Sequence, residues 1–200
     1  MTGIVIAVLV AFVVGSIPFG YLIGRGFYRT DIRAEGSGNI GAMNALRTLG
    51  KAGGAAVFLL DALKGFAPVF VASLYFHGSG VAEAVVAAAA VLGHCFSPWL
   101  HWRGGKGVAT SFGAIFAMSW AAGLVAVGGW IAGALLTQYS SVGSMLGSAL
   151  AAVAMWFFTG SAAETSYAAL AALFIAYTHR ENVARLQSGT ENPIRLFKRR

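Results

Sequence analysis

Gly36-Ser37-Gly38-Asn39-Ile40-Gly41 is followed, six positions later, by Arg47. The first six residues match the glycine pattern of a dinucleotide-binding turn. That reading requires a preceding strand inside a βαβ unit, and two apolar stretches flank the segment instead. The physics of the pattern survives without that fold. Glycines let backbone N–H groups approach an anion, a following helix N-terminus favours negative charge, and an arginine can grip phosphate through two parallel hydrogen bonds. Read on its own, the segment also fits a flexible glycine loop whose arginine sets membrane topology.

A second polar segment, Trp102-Arg103-Gly104-Gly105-Lys106-Gly107-Val108-Ala109-Thr110, offers the same combination of glycines and one cation. It is not a P-loop: Leu100 stands where that spacing needs glycine, and Gly107 stands where a Ser or Thr would hold magnesium. The alternative is a lysine reaching from a helix end towards the membrane surface. Between Thr137 and Ser144 lie the hydroxyls of Ser140, Ser141 and Ser144. Further on, His179 and Asn182 are three residues apart and share a helix face. Together they could reach a phosphate; separately each fits a polar residue at a helix end.

The remaining ionisable groups point to structure. Asp61 and Lys64 lie three apart in an apolar stretch, where a mutual ion pair that orients the helix toward the loops is expected in preference to direct catalysis. His94 and His101 lack a nearby third ligand, so no metal site is expected. His77 reads as a residue at the outer boundary. The lone cysteine, Cys95, has no intramolecular disulfide partner. No histidine is followed five residues later by aspartate, so the His–Asp acyltransferase dyad is missing in sequence. The Gly-x-Ser-x-Gly elbow is missing too, and acidic residues are too few for a two-metal phosphotransferase.

The elements that must position these groups are membrane spans. Hydrophobic residues make up 58% of the chain and charged residues 10%, against about 25% charged in soluble domains. A span needs about 20 apolar residues. The stretches Ile4–Gly24, Gly53–Phe76, Ala82–Leu100, Val108–Leu136, Met145–Phe158 and Ser166–Thr178 are apolar. The first has no basic residues ahead of it and is read as a retained span, not a cleaved signal. The formal charge is +7. These basic residues flank apolar stretches, which marks them as topology signals and argues against nucleic acid as a partner.

The charge distribution then sets the number of crossings. Arg25, Arg29, Arg33, Arg47 and Lys51 fall in the first loop, and Arg103 and Lys106 in the third. Arg180, Arg185, Arg195, Lys198, Arg199 and Arg200 fall in the tail, while the turn His77–Glu83 has neither Lys nor Arg. Basic loops stay in the cytoplasm, so the N-terminus is expected outside and the C-terminus inside. That parity needs an odd count. Splitting Val108–Leu136 near Met118-Ser119-Trp120 gives seven transmembrane helices in one all-α, polytopic domain, residues 1–200. The pair formed by the split is short for two full spans.

Taken together, the polar segments resemble those of the bacterial acyl-phosphate:glycerol-3-phosphate acyltransferases, the PlsY family. The first motif runs from Ser37-Gly38-Asn39 through Asn44 to Arg47. The second is Gly93-His94 with Gly104 through Thr110. The third is His179-Arg180-Glu181-Asn182 with Arg185-Leu186 and Gly189-Thr190-Glu191. The resemblance implies transfer of a fatty acyl group from acyl phosphate to the 1-hydroxyl of glycerol 3-phosphate, giving lysophosphatidic acid, without cofactor or metal. It implies Lys106, Arg47 and His179 as catalytic groups, and Ser37, Gly38, Asn39, Gly41, Asn44, Gly104, Gly105, Gly107, Ser144 and Asn182 around the substrates. It also implies a bacterial inner-membrane enzyme among membrane lipids, with its site at the cytoplasmic face and an acyl-phosphate-forming enzyme supplying the donor. Three positions depart from the pattern: Ile40 where many relatives have proline, Met43 where they have threonine, and Thr178 where a basic residue is common.

The chemistry fits the inventory. An acyl phosphate is already activated, so an oriented hydroxyl and a cradle for phosphate suffice. The donor's own phosphate or His179 could take the proton. The competing readings are a transporter or flippase of an organic phosphate, which would more often show inverted repeats and broken midplane helices, and a CoA-dependent acyltransferase.

Overall fold

The computed structural model describes residues 1–194. The tail residues Arg195, Lys198, Arg199 and Arg200 lie outside them. Among the described residues every regular element is helical: α1 (Thr2–Ser16), α2 (Phe19–Phe27), α3 (Ala42–Tyr75), α4 (Gly80–Cys95), α5 (Val108–Met118), α6 (Trp120–Thr137), α7 (Ser140–Thr159), α8 (Ala162–Thr178) and α9 (Arg180–Gln187). Five stretches are long and apolar enough to cross a membrane: Thr2–Phe27, Ala42–Tyr75, Gly80–Leu100, Trp120–Thr137 and Ser140–Thr159. The helices α5 and α8 are shorter, at 11 and 17 residues.

The break expected near Ser119 is present. Ser119 is extended (φ −151°, ψ 109°), ends α5 and caps α6, its hydroxyl accepting from the Ala122 N–H at 3.3 Å. The long first loop differs from expectation, because α3 begins at Ala42, well before the apolar stretch. Ala42-Met43-Asn44-Ala45-Leu46-Arg47 favours helix. This short helix is set off from the membrane-spanning part by Gly50, whose φ of 81° and ψ of −174° are open to glycine and costly for other residues. Arg47 therefore rides on a helical segment hinged to α3, not on a loop.

Small residues let the helices approach closely, as is usual in lipid. A Cβ on Gly65 would fall 2.0 Å from the Thr110 carbonyl oxygen, and one on Gly113 would fall 2.0 Å from that of Ala62. The backbones of α3 and α5 are therefore in direct contact. Large apolar side chains such as Leu59, Phe157 and Leu170 are exposed on the outer surface.

Pro18 separates α1 from α2, because proline cannot donate into a helix. A break at membrane depth leaves carbonyls that need partners. Lys64 Nζ donates to Ile17 O at 2.7 Å and Ser97 Oγ donates to Ser16 O at 2.7 Å. The expected Asp61–Lys64 pair forms at 2.8 Å with both side chains buried. Lys64 thus closes the gap in the first span as well as pairing with Asp61.

Candidate active site

Asn44 builds the first wall of the site. Its buried side-chain amide accepts from the Ser37 N–H at 2.8 Å. Its Nδ2 donates towards Ile32 O, Asn39 O and Glu35 O at 2.7, 2.8 and 3.1 Å. One side chain thereby folds the loop 32–41 onto the start of α3. Asn39 Oδ1 accepts from the Gly41 N–H at 2.8 Å. These amides serve the loop's shape and bring Ser37 to the cavity wall.

The glycines before Lys106 act in a similar way. The Gly104 N–H donates to Cys95 O at 2.9 Å and the Gly105 N–H to His94 O at 3.1 Å. Both N–H groups are engaged by the C-terminal turn of α4, so they are not free to cradle an anion. Gly104 and Gly105 lie outside the main cavity's lining, whereas Gly107 is within it. Gly38 also lies elsewhere, on a second cavity with Arg33, His101, Arg103 and Gly104.

Lys106 turns inward from this platform. Its ammonium donates to Asn182 Oδ1, and its carbonyl accepts from Thr178 Oγ1 at 3.1 Å. Burial, with the Arg185 cation nearby, holds Lys106 below the ordinary lysine range. Asn182 Nδ2 donates to Glu191 Oε1 at 2.6 Å. Glu191 also receives Ser141 Oγ at 3.0 Å and Arg185 Nε at 2.8 Å. Burial works against that carboxylate, yet the bonds from Asn182, Arg185 and Ser141 hold it below its usual range. Arg47 Nη2 donates to Asn192 O at 3.2 Å.

His179 is buried directly after α8. Its Nδ1 lies 2.8 Å from Ile175 O. A carbonyl can only accept, so Nδ1 carries the proton and Nε2 is left as an acceptor. Burial pulls its pKa down to about 4, and the nearby Lys106 cation adds to the shift. The imidazole is therefore neutral at neutral pH.

These side chains meet in one cavity of about 400 Å³, within the usual size of ligand sites. Ser37, Asn39, Gly41, Asn44, Arg47, Lys106, Gly107, Ser144, His179 and Asn182 all line it. Leu46, Ala55, Phe58, Val108 and Trp130 add apolar lining to the same cavity. Ser144 Oγ donates to Ser140 O at 2.9 Å, leaving its lone pairs available. Among the described residues no three His, Cys, Asp or Glu side chains gather around one point.

Sequence reasoning did not place Glu191, Arg185, Asp61 and His94 at this cavity, which they also line. His94, Arg185 and Glu191 stood in the family motifs without an assigned role, and Asp61 carried the signal of an ionisable group at membrane depth. The approach across α3 and α4, 3.7 Å from Asp61 Oδ1 to His94 Nδ1, has no counterpart in local spacing.

Comparison with known proteins identifies the family. The family model described as glycerol-3-phosphate acyltransferase matches residues 5–189. Glycerol-3-phosphate acyltransferase 2 of Thermotoga maritima is 42% identical over 191 residues, covering 96% of each chain. The glycerol-3-phosphate acyltransferase of Rhodopseudomonas palustris (strain BisB5) is 45% identical over 197 residues, covering 97% of this chain and 98% of its own. A crystal structure of PlsY, an integral membrane glycerol 3-phosphate acyltransferase in its glycerol 3-phosphate form, superposes with a TM-score of 0.90 at 36% identity. That match covers 96% of this chain and 95% of PlsY. The lysophosphatidic acid form gives a TM-score of 0.88. Matched from end to end in both sequence and fold, this multi-pass membrane protein belongs to the PlsY family of glycerol-3-phosphate acyltransferases.

Proposed function

We propose that the protein transfers a fatty acyl group from acyl phosphate to the 1-hydroxyl of glycerol 3-phosphate, releasing phosphate and lysophosphatidic acid. The observation that carries this reading is one cavity lined both by Lys106, Arg47, His179 and Asn182 and by the apolar Leu46, Ala55, Phe58, Val108 and Trp130. Phe58 belongs to that lining and is 43% exposed, so an acyl chain can enter sideways from lipid. The named activity of the relatives supports the acceptor.

The step is an acyl substitution. The hydroxyl oxygen attacks the carbonyl carbon, forming the ester bond as the bond from that carbon to the phosphate oxygen breaks. Lys106 and Arg47 neutralise the departing phosphate. The hydroxyl proton passes to a phosphate oxygen or to His179 Nε2. The donor is already activated, so neither an enzyme nucleophile nor a metal is needed. An enzyme that forms acyl phosphate must supply the donor. In this reading the protein crosses a bacterial inner membrane seven times, N-terminus outside, with the cavity facing the cytoplasm. That places Arg47 and Lys106 on the basic side.

The test is a donor panel of acyl phosphate, acyl-CoA and acyl carrier protein thioester, each with radiolabelled glycerol 3-phosphate, with and without EDTA. Lysophosphatidic acid is expected from acyl phosphate alone, unaffected by the chelator. Turnover from acyl-CoA only, or activity lost on chelation and restored by metal, would refute the reading.

A further inference from the structure

We propose that Asp61 and His94 form a positioning pair that sets where Lys106 reaches in the acyl-transfer site. The proposal rests on the catalytic reading above and adds two residues to it. His94 is buried at the end of α4, with Asp61 Oδ1 of α3 3.7 Å from its Nδ1. The other ring nitrogen lies under the loop that carries Lys106. A Cβ built on Gly105 would fall 2.1 Å from His94 Nε2, so only a hydrogen separates the imidazole from that backbone. The backbone of the same residue receives the loop, His94 O accepting from the Gly105 N–H. His94 thus holds the loop by main chain and side chain, one residue before Lys106.

Asp61 faces the ring from the other side, within ion-pair distance. Its carboxylate is itself held by Lys64, which is anchored on Ile17 O at the break of the first span. The chain of contacts runs from the α1–α2 break through Lys64, Asp61 and His94 to Gly105, and ends at the ammonium that Asn182 receives. Nothing in this chain is loose: Asp61, Lys64 and His94 are each at most 4% exposed. Placing three ionisable side chains at membrane depth is costly, and a purely apolar contact would join the helices at lower cost. What an apolar contact cannot supply is a flat ring set between a carboxylate and a glycine backbone, with Asp61 Oδ1 3.7 Å from Nδ1. Displacement of a catalytic group by about 1 Å can cost roughly a hundredfold in rate.

The experiment is a double-mutant cycle on the full-length protein in detergent, following lysophosphatidic acid formation and thermal unfolding together. His94→Ala is expected to lose about ten- to a hundredfold in kcat. His94→Gln, whose amide can occupy the place of Nε2, is expected to keep more activity. Asp61→Asn is expected to fall between wild type and His94→Ala. In a Lys106→Ala background the His94→Ala change is expected to cost less than about threefold, because its effect passes through Lys106. Wild-type turnover in His94→Ala overturns the proposal. So does an equal loss with and without Lys106, since a general loss of folded enzyme multiplies in both backgrounds. If His94→Ala unfolds, the same cycle run with His94→Gln decides by the same criterion. If wild-type protein uses a different donor, that donor serves the cycle, so a wrong donor and a wrong positioning pair give different results.

Discussion

Lys106 and Asn182, 76 positions apart, meet head to head: the lysine ammonium donates to the amide oxygen while the amide nitrogen donates to Glu191. Asn182 therefore has a donor on one side and an acceptor on the other, and only an amide satisfies both. Asn182→Ala is expected to lower turnover by about ten- to a hundredfold, since it frees both the cation and the carboxylate. Asn182→Asp sets a second carboxylate against Glu191 and is expected to lower the unfolding temperature as well. Kinetic assays paired with thermal unfolding in detergent check both. Equal, wild-type turnover in the two variants would remove Asn182 from the site.

Lys106→Ala and Arg47→Ala are each expected to cost about 2–4 kcal/mol of transition-state stabilisation, or roughly 30- to 1000-fold in rate. The protein should still insert and remain monodisperse on size exclusion. Arg47→Lys is expected to recover only part of the loss, because an ammonium cannot make the planar paired contact. Near-normal turnover in either alanine variant would reduce that residue to a topology signal.

His179 yields a pH prediction with a definite sign. Its folded pKa of about 4 lies below the ordinary value of 6.5. The unfolded chain therefore binds the proton first. The stability linked to His179 is complete above pH 6.5 and declines as pH falls from there to about 4. At about pH 5 the folded imidazole is expected to remain neutral. Nitrogen NMR of labelled histidine, with His179→Gln to assign the signal, measures this. An imidazolium signal for His179 at pH 6 would contradict the neutral acceptor assigned to Nε2.

The extended break at Ser119 motivates the topology prediction. Reporter fusions are expected to place Ser119 outside and the C-terminus inside. A Ser119 reporter facing the cytoplasm would show that α5 and α6 do not form two crossings.

Five spans were legible because hydropathy is a local property, and the Ser119 break lies in a weakly apolar Met-Ser-Trp step. Arg47, Lys106, His179 and Asn182 stood out as polar groups beside glycines or at helix ends, and they share a cavity. The roles of the glycines were not legible. Gly104 and Gly105 match an anion loop in type and spacing, yet their N–H groups face the open carbonyls of Cys95 and His94. A sequence does not state which acceptor lies above a glycine. Glu191 was hidden for a related reason: its three partners come from α7 and α9. Thr178, a departure from the family pattern, gains a purpose from the same geometry by donating to the carbonyl of Lys106.

The cavity's mixed polar and apolar lining, with Phe58 exposed at the surface, has a kinetic consequence for the proposed reaction. In that reaction the two substrates arrive from different phases. The acceptor is governed by its molarity in water, whereas the donor is confined to a sheet and governed by its mole fraction among surrounding lipids. Diluting the bilayer with inert lipid at fixed total donor should slow the enzyme, and adding aqueous volume at fixed acceptor concentration should not. The membrane then acts as the donor's reaction vessel, and the cell can set flux by the two-dimensional density of one lipid.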